Sequence, residues 1–133
     1  MPQPNPSSPQ NQNEYGKEEF TITYNLLPGS VPTVVWQGKL RLEAEDELPI
    51  SELLDRVIDE AYNYNRVILD LRHMSFMNSR GISVLFKFAI SLRKKNVSLE
   101  VLAVKNSVWQ QAHLNNISKL SPDSIITWLD VTD

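Results

Sequence analysis

A chain of 133 residues has room for one domain and one core, and its 41% hydrophobic and 22% charged residues are those of an ordinary folded protein. The formal charge of −3 lacks the surplus of Lys and Arg that neutralises phosphates, which argues against a nucleic-acid partner. The absence of cysteine removes disulfides, zinc–thiolate centres and thiol nucleophiles together, and it fits a reducing compartment.

Residues 1–18 are rich in Pro, Gln, Asn and Ser and have little to bury, so hydrophobic gain cannot offset their ordering entropy. A flexible tail is expected over 1–18, with the domain over 19–133. The start has no basic region leading into an apolar run, so no secretory signal is expected. No stretch approaches the roughly 18 apolar residues of a membrane-spanning helix. The expectation is a soluble cytoplasmic protein with no membrane association.

From Phe20 the pattern alternates: Phe20, Ile22, Tyr24 and Leu26 point one way, Thr21, Thr23 and Asn25 the other, which predicts a half-buried strand. A turn is expected across Leu27–Pro32, then a second alternating strand with Val34, Trp36, Leu40 and Leu42 on its apolar face, paired with the first as an antiparallel hairpin. Gly38 marks a bulge within it. Past an acidic loop from Glu43 to Glu47, Pro49 opens a helix whose stripe is Ile50, Leu53, Leu54, Val57, Ala61 and Tyr64. Its opposite, charged face is solvated.

Residues 66–71, RVILDL, are too continuously apolar for a sheet with one wet face, so they predict a central strand buried on both sides. The segment from Ile82 to Leu92 is helical and ends in Arg93, Lys94 and Lys95, which suit the negative end of a helix dipole. A strand through Val97, Leu99 and Val101 follows. Ser107 with Gln110 makes a capping-box pattern for a third helix to about Asn116, and Ile125–Leu129 adds a short strand. The fold class is α/β: a mixed sheet, antiparallel in its N-terminal hairpin and mainly parallel after it, covered by about three or four helices.

Catalytic chemistry finds little support. His73 and His113 lie in different elements with no acidic residues at ligand spacing, so no metal is expected. Ser79 with His73 lacks the Gly-x-Ser-x-Gly elbow of a serine hydrolase. Only Gly16, Gly29, Gly38 and Gly81 are present, from which neither a P-loop nor a dinucleotide fingerprint can be built. Asp70, at the end of the central strand, has no acidic pair after the first strand to make a receiver-type phosphoacceptor site. No enzyme activity and no cofactor are expected.

The junction FMNSRGISVLF, residues 76–86, remains. A helix N-terminus presents unpaired N–H groups and a partial positive charge, which favour a side-chain oxygen and, more strongly, a phosphate. Asn78 or Ser79 fits as N-cap, and Gly81 would open the backbone to an approaching partner. In the helix beyond, Val84 and Phe88 fall on the flank of the stripe or outside it, as a strip that a partner could cover.

Residues 67–120 resemble the STAS domain, the family of sulfate transporters and anti-sigma factor antagonists. There a buried strand ends in Asp-Leu, a loop with an apolar pair leads to Asp-Ser-Ser/Thr-Gly, and an apolar helix follows. Here these are Asp70-Leu71, Phe76-Met77, Asn78-Ser79-Arg80-Gly81 and the helix from Ile82. The resemblance covers about residues 20–129 and implies a STAS-like fold. It also implies partner switching, in which the unphosphorylated protein binds a serine kinase that is also an anti-sigma factor, the kinase phosphorylates the residue matching Ser79, and a phosphatase reverses it. Asn78, Arg80, Gly81, Ile82, Val84 and Phe88 would then form the partner-binding face. The chain departs from the motif at Asn78, where Asp is usual, and at Arg80, where a small hydroxyl residue is usual. The alternative function is a STAS module that senses a small ligand or scaffolds a signalling complex without being phosphorylated.

Overall fold

Alternating apolar residues build strands that share one face. The computed structural model describes residues 13–25, 31–120 and 124–130. Among them the elements run β1 (Glu14–Gly16), β2 (Phe20–Asn25), β3 (Thr33–Leu40), α1 (Ala44–Ala61), β4 (Arg66–Asp70), β5 (Met74–Met77), α2 (Ser79–Lys94), β6 (Ser98–Val104), α3 (Val108–Leu120) and β7 (Ile125–Leu129). The expected turn over 27–32 falls largely outside the described residues.

The strands form one mixed sheet in the order β1-β2-β3-β4-β6-β7, with β5 paired to β3 off that path. Pairings β1–β2 and β2–β3 are antiparallel, and β3–β4, β3–β5, β4–β6 and β6–β7 are parallel. This is the expected mixed α/β sheet, with three helices among the described residues. Tyr24, Val34, Leu69 and Val101 stand in one register row and are all buried, while in the alternate row Thr23, Val35, Leu102 and Thr127 are half-buried and Asp70 is buried. The helices share a core cluster with the first row. The strand expected to be buried on both faces is therefore covered on the side of Val67 and Leu69, while Ile68, on the other, is only half-buried.

Four other expectations are corrected. Strand β1 lies in the segment assigned to the tail, so the folded chain begins before residue 19. Helix α1 starts at Ala44 and takes in the acidic run, with Pro49 inside it. There the acids gain from the positive end of the helix dipole, and a Pro this near the N-terminus sacrifices one intrahelical bond. The Ser107 capping box is half formed: Ser107 Oγ accepts from the Gln110 N–H at 3.4 Å, but the buried Gln110 amide accepts from the Val104 N–H at 2.7 Å and donates to the Leu71 carbonyl at 3.0 Å. It thus ties α3 to the ends of two strands.

The fourth correction is β5, which sits where a loop is expected. Strand β3 pairs with β4 through Thr33–Val35 and with β5 through Gly38–Leu40, so β5 extends the same parallel row once β4 has ended. The register of β3 against β5 shifts between Gly38 and Lys39, whereas the hairpin pairing of β2 with β3, where the bulge is expected, runs without a shift from Asn25–Thr33 to Phe20–Gly38. Gly38 has φ +93°, and a Cβ there would lie 2.2 Å from the Glu19 carbonyl oxygen, so no other residue fits without strain.

Candidate functional site

Strand β5 delivers the chain to the start of α2, beside the end of β3. The Asn78 N–H donates to the Leu40 carbonyl at 3.1 Å. The Asn78 side chain then works in two directions: Oδ1 accepts from the Gly81 N–H at 2.9 Å as the helix cap, and Nδ2 donates to the Leu42 carbonyl at 3.0 Å. An aspartate could cap but could not donate. The amide in place of the usual acid therefore adds a tie between the start of α2 and the segment leading into α1.

Because Asn78 is the cap, Ser79 is not. It is the first residue of α2, exposed, with its hydroxyl not used for capping. The first turn contains no acidic residue, and the last turn carries Arg93 and Lys94, so nothing in α2 neutralises the positive end of its dipole. A negative group placed on Ser79 would meet that end.

Arg80 reaches α1, where its guanidinium donates to the Glu47 carboxylate. Both side chains are 43% exposed, so the pair contributes only about 0.2–1 kcal/mol. It does set the ends of α1 and α2 side by side. Between the two helices runs a groove lined by Glu47, Leu54, Asp55 and Ile58 of α1 and by Val84, Lys87 and Phe88 of α2.

Two of the sequence-derived roles change. Gly81 is buried, and a Cβ on it would meet Met77 Cγ at 2.7 Å and Leu40 Cδ2 at 3.0 Å. Its lack of a side chain seats α2 on β5 and β3, and does not open the backbone to a partner. Phe88 is 2% exposed and belongs to the core, so the expected external strip of Val84 and Phe88 reduces to Val84, half-buried at the groove, while Ile82 is half-buried against the core. Helix α1 covers that flank, which the sequence of α2 alone does not show.

Two further residues near the junction are exposed and apolar. Phe76, in β5, is 41% exposed, with the Arg41 guanidinium 5.5 Å over its ring. Leu48, next to Glu47, is also exposed. Phe76 belongs to the apolar pair of the motif, but its exposure, like that of Leu48, follows only from the pairing of β5 and from the start of α1 at Ala44.

Asp70, in the Asp-Leu pair, is buried at the end of β4. Burial pushes its carboxyl up, but the hydrogen bonds from the Arg72 guanidinium, at 3.0 and 2.8 Å, and from the Arg72 N–H outweigh this and hold it below the usual carboxylate range. It is a fixed carboxylate with its lone pairs engaged. Among the described residues no group of three or more His, Asp or Glu is placed to hold a metal ion, and no helix is long and apolar enough to cross a membrane.

The family model for the STAS domain matches residues 36–127, more than half of the chain. The chain belongs to the STAS domain family. A search of curated proteins gives no match. The matched span of this STAS domain runs from β3 into β7 and contains the whole Asn78–Phe88 segment and the groove, while β1 and β2 precede it. Membership supports a regulatory role exercised through protein–protein interaction.

Proposed function

We propose that this STAS domain is a cytoplasmic regulator of the anti-sigma factor antagonist type, binding a serine kinase that doubles as an anti-sigma factor through the face around Ser79. The observation that carries the reading is the division of labour at the start of α2. Asn78 caps the helix, and Ser79 is left exposed at the positive end of a helix whose first turn has no acid. Modifying Ser79 therefore leaves the cap intact.

In the transfer, Ser79 Oγ attacks the γ-phosphorus of ATP held by the kinase. An O–P bond to serine forms, the β–γ bridging bond breaks, ADP leaves, and the hydroxyl proton passes to a base of the kinase. The product adds about −1.5 to −2 charges at a surface that the partner must cover. Such a site tolerates the anion for the fold and changes the sign of the docking face. A phosphatase restores the hydroxyl by hydrolysis. The domain is substrate and ligand, and performs no catalysis.

The test is incubation of the full chain with ATP and extract of its own cells, followed by mass spectrometry of the peptide containing Ser79, alongside partner capture by Ser79→Ala and Ser79→Glu. Phosphate on Ser79, with capture by Ser79→Ala and its loss in Ser79→Glu, is expected. No phosphate together with equal capture by both variants would rule out the switch and favour a module that senses a ligand or scaffolds a complex.

A further inference from the structure

We infer that Glu47 and Arg80 form a phosphate-sensitive latch, in which Arg80 holds Glu47 while Ser79 is unmodified and moves to the phosphate when Ser79 carries one. The inference rests on the reading of Ser79 as a phosphorylated residue, and it supplies the regulation of that same surface: the modification is relayed to the groove between α1 and α2.

Arg80 directly follows Ser79 on the first turn of α2, yet its guanidinium is engaged with Glu47 on the neighbouring helix. That pair is exposed on both sides and screened by water, so it is easily exchanged. A phosphoserine next door offers about −1.5 to −2 charges and three acceptor oxygens, where Glu47 offers one negative charge. A guanidinium also binds phosphate in a two-pronged geometry that a lysine cannot reproduce. The competition favours the phosphate.

The consequence falls on the groove. Glu47 lines it together with Asp55 and Lys87 at its polar edges and Leu54, Ile58, Val84 and Phe88 along its walls. With Arg80 on Glu47 the two charges cancel at that end. With Arg80 withdrawn, Glu47 stands unpaired where an apolar side chain of a partner would enter. Phosphorylation thus acts at Ser79 and again at the groove. Arg80, in place of a small hydroxyl residue, becomes the element that couples the two.

The test uses full-length protein with phosphoserine installed at position 79 by genetic encoding, so it depends on no kinase. The Arg80 Nε–H resonance is followed by nitrogen-15 NMR in unmodified and phosphorylated protein, each with and without Glu47→Gln. The phosphate is titrated by phosphorus-31 NMR in otherwise unaltered protein and in Arg80→Gln. The latch predicts that Glu47→Gln moves the Arg80 resonance only in the unmodified protein. It also predicts that Arg80→Gln raises the second phosphate pKa, normally about 6, by about half a unit or more, a roughly threefold change in the proton-binding constant. Equal sensitivity to Glu47→Gln in both forms, or an unchanged phosphate titration, would overturn the latch. Neither result bears on whether a kinase modifies Ser79 in the cell, which the extract experiment decides separately.

Discussion

The starts of α1 and α2 lie next to each other, joined by Glu47 and Arg80, and they solve the same electrostatic problem in opposite ways. At α1 the positive end of the helix is already occupied. Asp46, fully buried, accepts from the Glu43 N–H at 2.7 Å, from the Tyr15 hydroxyl at 2.6 Å and from Lys17 at 2.8 Å. Burial pushes its carboxyl up, but the hydrogen bonds from Lys17, Tyr15 and the Glu43 N–H prevail and hold it below the usual range. The same contacts act on Tyr15, whose hydroxyl is raised to about 12 by burial and by its bond to Asp46. At α2 the cap is a neutral amide, the first turn has no acid, and a hydroxyl stands exposed beside it. One terminus is a closed structural joint that also fastens β1, and the other is left open to an anion. The difference shows that a helix N-terminus is a candidate for regulation only where its own chain has not already neutralised it.

The largest expected effect is at the closed joint. Asp46→Ala strips three donors of a buried acceptor and should cost about 3 kcal/mol or more in urea unfolding. An effect near that of a surface change would mean that β1 and α1 are not joined as described. Next comes the pH dependence. Asp46 and Asp70 both have folded pKa values below their unfolded ones, so their stabilisation is full above the unfolded value of 3.8 and is lost as pH falls through it toward the lower folded values. Urea midpoints should therefore drop steeply below about pH 4, and less steeply in Asp46→Asn, measured from pH 6 down to 2.

At the open terminus the effects shrink. Asn78→Ala should cost about 0.5–2 kcal/mol through the cap alone, with the lost Leu42 bond placing it at the upper end. Asn78→Asp should keep the cap and lose only that second bond, giving a smaller loss in the same assay. Smallest is Ser79→Ala, expected within about 0.5 kcal/mol of the parent in thermal unfolding. A large loss there would make Ser79 a structural residue and erase the contrast with α1.

Much of this architecture is legible in the sequence where periodicity is sustained. Strands β2, β3 and β6 follow from alternation, β4 from its continuous apolar run, and helices α1 and α2 from their stripes. Strands β1 and β5 are not legible, because three and four residues cannot show a period and both exist by pairing with a longer neighbour. The true start of α1 was hidden for a related reason: Asp46 is fixed by Tyr15, 31 residues away in sequence. At the candidate site, Asn78, Ser79 and Arg80 could be singled out from local chemistry, since capping is a local property. The burial of Gly81 and Phe88 is not legible there, because it is set by Met77, Leu40 and helix α1, none of which the helical period encodes.

The most direct test of the open terminus as a switch is capture from native extract on two immobilised proteins, one with serine and one with phosphoserine at position 79, with retained proteins assayed for transfer of labelled phosphate from ATP. The account predicts an ATP-dependent serine kinase retained by the unmodified protein and lost from the phosphorylated one. Retention of the same kinase activity by both would contradict it.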